Sequence, residues 1–168
     1  MPTIDEIKSA LRLQPHPNEG GYYAETYRSA EEITGNSLPS RYDGKRSFGT
    51  AIYYLLTPET FSGMHRLPTD EIFHFYLGDA VEMLLLHPDG TGKVLRLGTE
   101  ILGGESPQVV VPRGVWQGSR LAAGGRFALL GTTMAPGFEF PDYETGRRKE
   151  LVSAFPAHAD MIAALTRE

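Results

Sequence analysis

Three side chains in the middle of the chain carry groups that can do chemistry together: the imidazole of His65, the carboxyl of Glu71 and the carboxamide of Gln117. A His and a Glu that converge in an apolar hollow act as general base and general acid, because burial lifts the carboxyl toward neutrality and a nearby carboxylate lifts the imidazole. Proton abstraction beside a carbonyl suits this pair, with His65 as the base and Glu71 orienting it or serving as the acid. The same three residues also form a mixed nitrogen and oxygen donor set for a weakly held divalent metal, with water completing its shell. As a transition-metal site the set is poor. Leu67 lies two residues from His65, on the same face of a strand, and an isobutyl group has no lone pair to give. His74 does not repair the deficit, since three residues from Glu71 along a strand is the opposite face.

The neighbours of these residues fill out a ligand site. Phe73 and Phe75 share the Glu71 face by alternation and are expected to line the pocket beside Gln117. Arg66 and Arg113 flank the two segments, where a guanidinium can meet a carboxylate or phosphate at the pocket mouth. Trp116 is adjacent to Gln117, so it faces away from it and packs elsewhere. Glu19, Tyr22, Glu25 and Arg28 read as a salt-bridged rim on an N-terminal strand. Gly20 and Gly21 are not a phosphate loop, because no Gly-Lys-Ser/Thr follows. Without a Gly-x-Ser-x-Gly element, a serine hydrolase lacks its nucleophile elbow.

These groups need a scaffold, and the punctuation of the chain describes one. From Phe48 to Ala135, short runs rich in Val, Ile, Tyr, Phe and Leu alternate with Gly, Pro and Asp turn signals. Seven or eight strands fit, at the spacing of about 8–12 residues that marks an all-β sandwich or barrel. Ala51 to Leu56 and Val81 to Leu86 are apolar on both faces, so the wall must be covered outside by the terminal helices or by a second subunit. Thr3 and Glu6 have the spacing of a capping box for a short helix that ends before Pro15. The tract from Glu31 to Arg46 reads as a long exposed loop. A helix over Arg147 to Ala154 and a second piece bearing Met161, Ile162 and Leu165 close the chain. One domain spans residues 1–168.

Composition removes several functions. Net charge is −5, with 16 basic residues scattered against 21 acidic ones, which argues against nucleic acid as a partner. No cysteine is present, so disulfide and thiolate chemistry are excluded. No apolar run approaches the ~20 residues of a membrane helix. The expectation is a cytoplasmic protein holding a small molecule.

The run from His65 to Gly78, with the later run from Pro112 to Gln117, resembles the two-part signature of the cupin superfamily. His65 matches the first motif's leading His, Glu71 its Glu and Gly78 its final Gly; Pro112 and Gly114 match the Pro-x-Gly of the second. Leu67, Gln117 and Leu121 stand where the signature has a second His, a third His and an Asn. Three further stretches, His16 to Arg28, Ile52 to Leu56 and Ala135 to Tyr143, are similar to an uncharacterised single-domain cupin family close to the nucleotide-sugar epimerase-like jelly rolls. The resemblance implies a double-stranded β-helix, a jelly-roll barrel with short terminal helices, assembled as a homodimer with one pocket inside each barrel. It implies epimerase or isomerase chemistry on a sugar-like or other carbonyl-bearing metabolite. The alternatives are a binding module without turnover and a weak metal-dependent enzyme.

Overall fold

The structure, a computed structural model, describes residues 2–167. It opens with helix α1 (Ile4–Ala10), whose start is fixed by a capping box in which Thr3 and Glu6 each bond the other's backbone amide. Strands β1 (Gln14–Pro15), β2 (Tyr22–Arg28), β3 (Glu32–Ile33) and β4 (Arg46–Ser47) follow. Eight strands then span the segment read from its turn signals: β5 (Thr50–Leu56), β6 (Phe61–Arg66), β7 (Glu71–Gly78), β8 (Val81–Leu86), β9 (Gly92–Leu97), β10 (Gln108–Val111), β11 (Trp116–Leu121) and β12 (Ala128–Met134). A short β13 (Glu144–Thr145) precedes helices α2 (Arg148–Ala154) and α3 (Ala159–Ala164).

Two antiparallel sheets face each other as a jelly roll. One runs β1-β2-β5-β12-β7-β10 and the other β13-β6-β11-β8-β9. Tyr54, Leu56, Phe73, Met83, Leu85 and Leu130 meet in the inner core. The other face of β8 is equally apolar: Leu84 and Leu86 pack with Leu151, Phe155, Ile162 and Leu165 from the C-terminal helical segment. Leu55 of β5 likewise turns outward to Ile7 and Leu13 at the N-terminal helix. The doubly apolar strands are therefore covered by this chain's own helices. Each such Leu removed from water contributes roughly 1.5–3 kcal/mol.

The tract from Glu31 to Arg46 is not a featureless loop. β3 pairs with β4, and a short turn of helix (Gly35–Ser37) lies between them. Its order comes from Arg46, whose guanidinium is buried against Asp142 at 2.5 and 2.9 Å and also donates to the carbonyls of Asp43 and Lys45. That pair pins the segment entering β13 to the body of the protein, and β13 adds to the edge of β6 with Thr145 opposite His65. β6 is held at two more points, where Gly63 N–H donates to Glu19 O at 2.8 Å and Met64 N–H to Leu165 O at 2.7 Å. Replacing Asp142 by Ala leaves a buried guanidinium without its counter-charge and is expected to cost about 3–5 kcal/mol. Urea unfolding measures it, and a loss under about 1 kcal/mol would show that the pair does not anchor this segment.

Candidate functional site

A cavity of about 230 Å³ opens at one end of the sandwich, lined by residues that include His16, Glu19, His65, Leu67, Glu71, Thr132 and Tyr143. His65 and Leu67 both face it, as strand alternation requires. His65 is buried, and its Nδ1–H donates to the carbonyl of Gly63 at 2.7 Å. A carbonyl only accepts, so Nδ1 holds the proton and Nε2 keeps the lone pair. The ring stacks on Tyr143 with centroids 4.7 Å apart. Burial pushes the His65 pKa down, and this outweighs the opposing pull of Glu71. The neighbouring carboxylate does not win, contrary to the expectation that it would lift the imidazole.

Glu71 opens β7 and is buried. Burial raises its pKa to about 7, helped by the charge of Glu19 and opposed by His65, Thr132 and Gln117. Gln117 Nε2 donates to Glu71 Oε2 at 2.8 Å, a bond from the five-stranded sheet to the six-stranded one. Gln117 pairs in register with His65, yet it stands behind Glu71 and does not line the cavity. Its Oε1 is buried with no hydrogen-bond partner. His65 and Glu71 are thus brought together at the cavity, and Gln117 is brought to Glu71.

Three expected ligand contacts need correction. Phe73 is enclosed in the inner core and Phe75 packs against it, so neither lines the cavity. They share the Glu71 face but sit deeper along β7, among hydrocarbon. Arg66 is next to inward-facing His65 and therefore points out, where it makes two bonds to Glu144 at 2.7 and 2.8 Å and lies over the Trp116 ring. It lines a separate open groove with Arg113. His74 turns to the outer side, within hydrogen-bonding distance of Thr133 Oγ1 at 3.0 Å.

A second His–Glu pair comes from the N-terminal segment, where the sequence favoured a salt-bridged rim and the family resemblance left room for a role at the pocket entrance. Glu19 is buried and accepts a bond from Ser62 Oγ, and burial raises its pKa. Gly20 and Gly21, at φ of +103° and +66°, turn the chain so that this carboxyl enters the cavity. A side chain at Gly20 would strike the Phe61 carbonyl. His16 Nδ1 accepts from the Glu19 amide at 2.9 Å, so its proton is on Nε2. Burial lowers its pKa as well. The rings of Tyr23, Phe140 and Tyr143 surround it at 4.7, 6.1 and 6.4 Å. Glu25 and Arg28 do form the salt-bridged rim, with Arg28 also bound to Glu139.

The donor set does not fit a resident divalent metal. Although two histidines and three glutamates line the cavity, no three acidic or imidazole groups among the described residues are placed to hold an ion. Leu67 and Gln117 occupy the positions that would supply further imidazoles; Leu67 has no lone pair, and Gln117 turns toward Glu71 an N–H that cannot bind a metal.

The family described as "Cupin superfamily (DUF985)" matches residues 5–146. The chain belongs to this cupin family. It is 33% identical over 149 residues to the uncharacterized protein YML079W of Saccharomyces cerevisiae, covering 84% of this chain and 74% of that one. Among solved structures, it resembles protein SO0799 from Shewanella oneidensis (TM-score 0.87, 33% identity, 99% of both chains). A hypothetical protein from Leishmania major is as similar in fold (TM-score 0.87, 30% identity, 99% of this chain and 100% of that one). Oxalate decarboxylase of Bacillus subtilis, which has Mn(II) centres, shares the fold at TM-score 0.52 and 15% identity over 91% of this cupin and 37% of that chain. No helix among the described residues is long and apolar enough to cross a membrane.

Two outcomes check this site. The Glu71 carboxyl ionises at about 4.3 when unfolded and at about 7 when folded, so the folded state binds the extra proton between those values and loses stability as pH rises through them. Glu71→Gln should therefore exceed the wild type by about 2–4 kcal/mol at pH 8 and lose that advantage near pH 4, read by urea unfolding at each pH. Manganese or zinc at ~1 mM should leave Tm within about 1 °C; a rise of 5 °C or more would mean a bound ion.

Proposed function

We propose that this cupin binds a small carbonyl-bearing metabolite in the cavity and moves a proton at the carbon beside the carbonyl, the chemistry of an isomerase or epimerase. The observation that carries the reading is the fixed tautomer of His65: its Nδ1–H is committed to Gly63 O, which leaves a basic Nε2 in a buried site beside a carboxyl that ionises only at about 7. A lowered imidazole pKa keeps His65 neutral and ready to accept at physiological pH.

In the proposed step, the C–H bond beside the carbonyl breaks and its proton goes to His65 Nε2. The electron pair forms the C=C of an enediol or enol, and Glu71 gives its proton to the carbonyl oxygen. For isomerisation, His65 returns its proton to the former carbonyl carbon while the hydroxyl on the first carbon gives its proton to the Glu71 carboxylate and becomes the new carbonyl; for inversion, the enol turns over, His65 returns the proton to the other face of the first carbon and Glu71 takes its own back from the oxygen. Atoms and charge balance without any added oxidant or reductant. Gln117 holds the Glu71 carboxyl toward this task from behind, and Tyr143 fixes the plane of the imidazole. Exclusion of water by the apolar cavity strengthens each of these interactions.

Incubation in D2O with small carbonyl compounds, followed by NMR at the carbon beside the carbonyl, tests the proposal. Exchange should fall by about 10²–10⁴ in His65→Gln and decline above about pH 7 as Glu71 loses its proton. A compound held in the cavity with no exchange would make the protein a binding module instead.

A further inference from the structure

We infer that the ligand is an uncharged polyhydroxy carbonyl compound no larger than a monosaccharide, and that phosphate esters, uronates and dicarboxylates are rejected. This rests on the proposed site and sharpens it to a substrate class.

The first observation is that, among the described residues lining the cavity, the one guanidinium is already paired. Arg28 is the guanidinium among its lining residues, and it is bound to both oxygens of Glu25, to Glu139 and to the Phe138 carbonyl. Arg167, behind the N-terminal segment, is bound to the carbonyls of Asn18 and Glu19. Among the described residues the lining contains no lysine. An anionic ligand would give up its water beside the buried carboxyls of Glu19 and Glu71 with no cation to pair with, and burying a charge without a partner is costly.

The second observation is the matched polarity of the two imidazoles. His16 is fixed by the Glu19 amide with its proton on Nε2, and His65 by the Gly63 carbonyl with its lone pair on Nε2. One cavity therefore offers an imidazole donor, an imidazole acceptor and, beside the Arg28-paired Glu25, the carboxyls of Glu19 and Glu71, which suits hydroxyl groups that donate and accept at once. The aromatic faces of Tyr23, Phe140 and Tyr143 supply apolar surface for the C–H sides of a sugar ring. At about 230 Å³, the space lies below the roughly 300–1,000 Å³ of sites for drug-sized ligands, so the part of a ligand it encloses is small.

Saturation-transfer NMR with the wild-type protein separates the classes. The probes are D-glucose, D-fructose, D-xylose and D-ribulose, against glucose 6-phosphate, fructose 6-phosphate, glucuronate and oxalate. At least one free sugar should bind, each of its anionic counterparts at least about a hundred-fold more weakly. Glu19→Gln, checked for folding by thermal melting, should narrow that ratio about ten-fold, since it removes one ionisable group from the wall. Binding of an anion as tight as that of its neutral parent, or no binding by any free sugar at 20 mM, overturns the inference. Deuterium exchange in the same samples keeps the two readings apart. Free sugars that bind without exchange leave the substrate class standing and defeat the proton transfer. Exchange confined to the anions does the reverse.

Discussion

The hydrogen bond from Gln117 to Glu71 is the constraint around which this site is organised. It crosses from one sheet to the other at 2.8 Å, between two buried side chains. Once Gln117 is committed there, its position opposite His65 fixes where imidazole and carboxyl stand relative to each other. Glu71 is then held where burial and the nearby Glu19 keep its proton on to near neutrality. Replacing a third imidazole by an amide changes what the wall can do: an imidazole lone pair would invite a metal, whereas the amide N–H invites a carboxylate.

Much of the scaffold was legible because it follows from short-range rules. Alternation places His65 and Leu67 inward and Arg66 outward, and turn residues bracket all eight strands from β5 to β12. The doubly apolar runs at β5 and β8 required cover on both sides, and the helices provide it. The face of a strand was readable, but the depth along it was not. Phe73 and Phe75 have the parity of Glu71 and still miss the cavity, because which end of a strand lies under a pocket depends on how the sheets stack. The tract from Glu31 to Arg46 misled for a related reason: one buried ion pair to a residue far along the chain orders a segment whose composition is that of a loop.

The N-terminal half of the site was hidden more deeply. His16 and Glu19 lie outside the signature segments, and nothing in their local pattern separates a buried carboxyl from a rim carboxyl. What brings Glu19 inside is the pair of left-handed glycines after it and a hydroxyl on β6 waiting to donate. The glycine pair was visible in the sequence, though its purpose is to steer a side chain rather than to cradle a phosphate. Glu25 and Arg28, a few residues on, behave as their composition suggests.

Strand β6 is stitched by segments from far apart in the chain. The Gly63 amide donates to the Glu19 carbonyl, the Met64 amide to that of Leu165, and Arg167 reaches back to the Asn18 and Glu19 carbonyls. The imidazole sits one residue beyond these stitches. Trimming the helix that carries Leu165, or fusing a bulky tag close behind Arg167, would therefore disturb the same wall that holds the base, so protein engineering at this distant segment is an operation on the reaction chamber itself.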